Sequence, residues 1–207
     1  LAGALALVSI SACSGESNRT PVPAPVAGGT FLNQAPNVAY LGRDACRSCH
    51  AETWSTYSHT SMGRSWYPLA GAPVIETWTE RNTLDVKASG LRYVMFRRDE
   101  KFFMRQSIVG ANGRESAVDE RELLWVVGSG QHSRAYLVTV GDMLFQAPLC
   151  WYTKDALWDL CPGYEDNNDY FSREIDRTCV FCHNARMERQ PGARNAYEAI
   201  PHGIDCE

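Results

Sequence analysis

Two short segments hold residues spaced for chemistry. Cys46-Arg47-Ser48-Cys49-His50 and Cys179-Val180-Phe181-Cys182-His183 both read Cys-x-x-Cys-His. Two thiols about one helical turn apart can each add to a vinyl group of a porphyrin, and the histidine that follows then meets the iron as an axial ligand. The motifs therefore predict haem c on Cys46 and Cys49 with His50 as proximal ligand, and on Cys179 and Cys182 with His183. Other uses of paired cysteines fit less well. A zinc ribbon takes its ligand pairs from nearby stretches, whereas Cys49 and Cys182 lie 133 positions apart. A thioredoxin-like pair needs one motif in a βαβ setting, and a disulfide across Cys-x-x-Cys does not account for a histidine following twice. Cys206, within His202-Gly203-Ile204-Asp205-Cys206-Glu207, reads as the first thiol of a third motif.

Low-spin haem iron takes a second axial ligand. Outside the motifs the histidines are His59, His132 and His202, and each is a candidate distal ligand. Asp44 can cap a helix beginning at Ala45, with Trp54 and Tyr57 on one face. If that helix runs on to His59, nine residues past His50, the two rings stand about half a turn and about 13.5 Å apart. His59 is then expected to serve a different haem, that of Cys179 and Cys182 or the third. Met62 is its rival nearby. His132 lies in the flexible run Gly128-Ser129-Gly130-Gln131-His132, which can bring an imidazole over a haem face, and His202 sits between Pro201 and Gly203. Two histidines on one iron leave no open position, so electron carriage is expected rather than turnover, and no catalytic residue is assigned.

These segments need elements to position them. The chain has 207 residues, 44% hydrophobic and 21% charged, with a net charge of −4. That is a globular composition with no basic excess to favour nucleic acid. Residues 1–13 read as the apolar part of a lipoprotein signal, with Ile10-Ser11-Ala12 preceding a lipidated Cys13. Residues 14–39 read as a flexible tether rich in Ser, Pro, Gly and Ala. Residues 40–207 form the folded part. Within it, residues 74–149 alternate like strands at Val74–Thr79, Leu84–Ala88, Leu91–Arg97 and Phe102–Val109, with a hairpin from Tyr136 through Gly141-Asp142 to Gln146. This is expected as an antiparallel β-rich insert among helical and loop haem segments, an α+β fold. Arg92, Arg97, Arg98 and Arg105 would either pair haem propionates or form a solvated face. Cys150 and Cys161, eleven positions apart and outside any haem motif, are expected as a local disulfide in an oxidising compartment.

Several longer stretches accompany the motifs: Tyr40-Leu41-Gly42-Arg43-Asp44-Ala45-Cys46, Trp54 to Gly63, Val127 to Leu137, Pro162-Gly163-Tyr164, Cys179 to Asn184, and Gly203-Ile204-Asp205-Cys206. With them the chain resembles multihaem c-type cytochromes of the cytochrome c-552/c-554-like superfamily, over roughly residues 40–207. It is most similar to the exported module found ahead of tetratricopeptide repeats. The resemblance implies electron transfer in the periplasm, at the outer membrane or at the cell surface. Redox partner proteins or other multihaem cytochromes would be its partners, and a lipid anchor its membrane contact. It also leaves open a multihaem oxidoreductase of the nitrogen-compound reductase or oxidase type, and a haem-based redox sensor.

Overall fold

The computed structural model describes residues 39–198 and 202–206. The expected signal with its Cys13, and the tether as far as residue 38, lie outside the described residues.

Strand formation follows from side chains alternating between core and surface. Four strands make one antiparallel sheet: β2 (Thr83–Val86), β3 (Leu91–Arg98), β4 (Lys101–Val109) and β5 (Glu115–Leu123), paired in that order. On β3 Leu91, Tyr93 and Met95 turn inward, and on β4 Phe102 and Met104 do the same. Asp99 and Glu100 take positive φ in the two-residue turn that joins them, matching the twist of the flanking strands. The outer face carries ion pairs, Arg92 to Asp85 at 2.6 Å and Arg98 to Glu120 at 2.7 Å, with Arg105 bonded to Glu115; Arg97, on the side of Met95 and over the Phe102 ring, pairs with Glu100 of the turn at 3.4 Å. The arginines singled out in the sequence thus find carboxylates on their own sheet. Exposed pairs of this kind contribute about 1 kcal/mol or less each.

The second sheet runs β1-β6-β7-β8-β10, with β9 also paired to β8. Its strands are β1 (Trp66–Pro68), β6 (Trp125–Val127), β7 (Ser133–Val140), β8 (Met143–Tyr152), β9 (Leu157–Leu160) and β10 (Arg173–Glu174). Both faces are covered, so burial on β7 is continuous from Tyr136 through Leu137 to Val138. Tyr136 and Val138 join the larger core with Tyr93, Met95, Met104, Trp78 and Trp158. Leu137 joins Trp66, Leu144, Ile175, Val180 and Tyr197 on the other side. A disulfide links Cys150 on β8 to Cys161 just past β9.

The expectation of helical haem segments around a β insert is overturned. The body is antiparallel sheet from Trp66 to Glu174, well beyond residues 74–149 at both ends. Among the described residues the α-helices are α1 (Ala51–Ser58) and α2 (Arg177–His183), with a 3-10 turn at Arg43–Cys46. Neither helix is long enough to build a core, and α1 buries no residue at all. The large apolar side chains sit on strands instead, each contributing about 1.5–3 kcal/mol when fully buried. Within the sheets, Val74–Thr79 is an irregular connection rather than a strand. The Glu76 carboxylate holds it, taking bonds from Arg134 Nη1 at 2.7 Å, the Tyr136 hydroxyl at 2.6 Å and the Ile75 N–H at 3.0 Å.

Candidate functional site

The first thiol segment is a bent entry into α1. Cys46 ends the 3-10 turn, the His50 N–H donates to the Cys46 carbonyl at 2.9 Å, and the Trp54 N–H donates to the His50 carbonyl at 2.8 Å. His50 is therefore the N-cap of α1, with φ −124° and ψ 45°. The expected helix from Ala45 to His59 breaks at residues 47–50, so its half-turn argument for separating His50 from His59 does not hold. Cys46 is half-buried and Cys49 exposed, and neither is in a disulfide. The Arg47 guanidinium stands 4.6 Å from the centre of the Trp54 ring.

The second segment is a regular helix. Asp176 caps α2, accepting from the N–H groups of Thr178 at 2.9 Å and Cys179 at 3.4 Å. The hydrogen bond from the Thr178 side chain leads those that hold its carboxyl below the ordinary range. Cys179 and Cys182 lie three apart on α2, hence on adjoining turns of one face. Burial against the smaller core pushes the Cys179 thiol up, while Cys182 and Phe181 face outward. His183 ends the helix, and desolvation by the protein around it lowers its pKa although the residue reaches the surface.

Ser65, buried just before β1, draws the thiol segments together. Its single hydroxyl proton is shared between the carbonyls of His183 and Met62, both at 2.7 Å, and its Oγ accepts from the Ile204 N–H at 3.2 Å. A Cβ on Gly203 would lie 2.7 Å from Ser65 N and 2.8 Å from the Met62 carbonyl oxygen, so the close approach admits only glycine. Tyr57 on α1 donates to the Ile204 carbonyl at 3.0 Å, Tyr40 bonds Asp205, and Arg43 donates to the Gly63 carbonyl at 2.9 Å. Cys206 comes close enough to Cys46 for the two thiols to interact, and its pKa is raised by desolvation first and by Cys46 next. None of Ser65, Gly63 or Arg43 was assigned a role from sequence. The signal available was the pair of glycines, Gly63 and Gly203, lying in the stretches that accompany the motifs.

His59 caps the C-terminal end of α1, and its Nδ1 lies 2.7 Å from the Ser55 carbonyl oxygen. A carbonyl only accepts, so Nδ1 carries a proton, which in the neutral ring leaves Nε2 as the nitrogen able to meet a metal. His132 is exposed in the β6–β7 loop, which Ser61 ties to the end of α1 through a 2.7 Å bond to Gln131. His202 is exposed, and its carbonyl accepts from the Ala185 N–H at 3.4 Å, beside the exit of α2. His59 and His132 therefore lie by the C-terminal end of α1, and His202 beside the exit of α2. Met62 is also exposed, at 54%.

The residues present fit haem c. Four motif thiols are unpaired, each pair is followed by a histidine, and the apolar side chains around them are uncovered, Phe181 at 85% and Leu41 at 71% exposed. Helices of seven and eight residues do not persist in water without cover, and a covalently tied macrocycle supplies an apolar face of that kind. Asn184, next to His183, is buried with neither its side-chain oxygen nor its nitrogen partnered. Among the described residues no group of three or more His, Cys, Asp or Glu could hold a bare metal ion, and no helix is long and apolar enough to cross a membrane.

No family model matches the chain, and no curated protein matches it. Among solved structures it is similar to the outer cell wall cytochrome OcwA, with 16% identity and a TM-score of 0.47 over 81% of this chain. The chain spans 30% of that protein. At this identity and TM-score the likeness carries no argument, and the resemblance to the c-552/c-554-like superfamily rests on the sequence, the motifs and the stretches that accompany them.

Proposed function

We propose that the chain is an electron-carrying segment of an exported multihaem c-type cytochrome. Cys46 and Cys49 would hold one haem with His50 on its iron, and Cys179 and Cys182 a second with His183. Bound iron cycling between ferric and ferrous states supplies one-electron transfer; the protein contributes position, ligands and dielectric. The observation that carries the reading is the pairing of unbridged thiols with an adjacent histidine at two places, with Ser65 bonding the His183 carbonyl and the Ile204 N–H and Tyr57 of α1 bonding the Ile204 carbonyl. His59 is the best-prepared distal ligand because its Nδ1 proton is already committed to Ser55, with His132 and His202 as further candidates. Cys206 would begin a third attachment site beside the first. The Cys150–Cys161 disulfide supports an oxidising compartment, in keeping with export, a lipid anchor at Cys13 and redox proteins as partners.

The test is a pyridine haemochrome spectrum with intact mass on the chain made in a host that matures c-type cytochromes. Two covalent haems are expected, one lost in Cys46→Ala/Cys49→Ala and the other in Cys179→Ala/Cys182→Ala. A folded, colourless chain from that host, its motif cysteines bridged or metal-bound, would overturn the reading.

A further inference from the structure

Beside the first motif lies a cavity of about 590 Å³. One wall comes from the segment flanking Cys46–His50, namely Arg43, Asp44, Trp54 and Ser58; Tyr67 of β1, Arg134 of β7 and Gly130 of the β6–β7 loop line it from the sheet. Three buried polar atoms of these lining residues have no hydrogen-bond partner: Arg134 Nε, Tyr67 Oη and Trp54 Nε1. All three can donate. The Arg134 side chain is only 5% exposed, and its Nη1 is already committed to Glu76 and to the Pro73 carbonyl, which leaves Nε for something else. Tyr67 lies across from Val126 and Val126 across from Tyr136, while Arg134 is two residues from Tyr136, so Tyr67 and Arg134 share one face of the sheet. Trp66, next along β1, points to the opposite core and is not counted. Burial raises the Tyr67 phenol pKa, opposed by the charge of Arg134 and by a weak contact from its side chain that falls short of hydrogen-bond geometry, so the hydroxyl keeps its proton at neutral pH.

Space is held open over the unpartnered nitrogen. A Cβ on Gly130 would stand 2.8 Å from Arg134 Nε, and Gly130 itself has φ +85°. Arg43, Arg64 and Arg134 bring positive charge to the cavity, offset by Asp44 in the lining and by Glu76 behind Arg134. Buried donors left unpaired are costly, and donors beside a net positive charge are satisfied by an anionic acceptor.

We propose that this cavity seats a carboxylate, and that the carboxylate is a propionate of the haem carried by Cys46 and Cys49. The inference rests on the haem reading of the first motif. It favours that source because the motif's own flanking residues form the wall, so a haem tied there carries its carboxylates to the opening.

The test uses the full chain, haem-loaded, titrated by reduction potential against pH; Cys46→Ala/Cys49→Ala identifies the wave of the first haem. Tyr67→Phe deletes a hydroxyl whose proton has no acceptor and whose one weak contact is Arg134, and Gly130→Ala covers Arg134 Nε. Each is expected to leave both haems attached by mass and to move the pH at which the first wave bends upward by roughly one unit, leaving the second wave alone. An unchanged bend with both haems attached overturns this inference and leaves the haem reading standing; no haem on Cys46 and Cys49 overturns both. Sodium propionate separates the two sources of carboxylate. It is expected to raise the melting temperature of Cys46→Ala/Cys49→Ala and not of the haem-loaded chain. A rise in the haem-loaded chain that Tyr67→Phe abolishes would assign the cavity to a free carboxylate instead.

Discussion

Replacing Ser65 by alanine removes one oxygen from the point where three segments meet. The Met62 carbonyl keeps the Ser65 N–H at 3.1 Å, so the loss falls on the His183 carbonyl and the Ile204 N–H. A buried polar group left unpaired costs about 1–3 kcal/mol, and less where water can enter. Both groups are partly buried, which puts the expected cost of undocking at about 2–3 kcal/mol. Amide hydrogen exchange reads it locally. The Asn184 N–H, bonded to Val180 at 2.9 Å, and the Ala185 N–H, bonded to His202 at 3.4 Å, should lose about 30- to 150-fold of protection. Amides of β3 and β4 should not change. Ser61→Ala, which removes an exposed bond to Gln131, is the control and should stay within about 0.5 kcal/mol. Gly203→Ala should undo the same docking, so the double variant should cost less than the sum of the two. If Ser65→Ala behaves like Ser61→Ala, or protection falls evenly over the whole chain, Ser65 is not what joins the thiol segments.

Asp176→Ala should weaken α2 by about 1 kcal/mol through loss of its cap. Because the Asp176 pKa is depressed in the fold, its contribution is complete above the unfolded carboxylate value near 4 and lost as pH falls through the lower folded value; exchange of the α2 amides against pH should show this, and Asp176→Asn should flatten it. Breaking the disulfide with Cys150→Ser/Cys161→Ser opens a loop of eleven positions and should cost about 3 kcal/mol in denaturant unfolding. His59→Ala should open one iron to added imidazole in the visible spectrum, whereas Met62→Ala should not; the opposite result would move the distal ligand to the sulfur.

The sheets were legible where alternation was clean. Leu91–Arg97 and Phe102–Val109 read as strands because Leu91, Tyr93 and Met95, and Phe102 and Met104, alternate with other side chains, and each stretch falls within β3 or β4. Val74–Thr79 shows a similar pattern yet is irregular, because the Glu76 side chain takes the bonds that hold it to the sheet and Val74 and Ile75 stay exposed. β5 was missed for the opposite reason. Glu-Ser-Ala-Val-Asp-Glu-Arg-Glu-Leu is mostly charged, as suits an edge strand whose Glu120 and Glu122 pair with Arg98 and Lys101 of the neighbouring strands. The thiol spacing named the chemistry of single segments but not their mutual placement. That depends on Ser65, whose bonds to His183 and Ile204 span 118 and 139 residues of chain, and on the absent side chain of Gly203, which lets it come against Ser65.

A β body also changes what must hold the cofactors still. On the haem reading, electron transfer would depend on the spacing of the centres, and covalent attachment would fix each haem only to its own short segment. α2 is anchored through Val180 and through the 2.8 Å bond from the Tyr197 hydroxyl to the Ile175 carbonyl, both against the second sheet. The first segment reaches the same sheet through Ser65, whose carbonyl accepts from the Gly128 N–H at 2.8 Å at the edge where β1 joins β6. Both thiol segments therefore refer to one sheet, in which β7 is buried on both faces from Tyr136 to Val138. Substitutions that loosen β7 should disturb the relation between the two thiol segments before they disturb attachment at either, since attachment needs only the local pentapeptide and spacing needs the sheet.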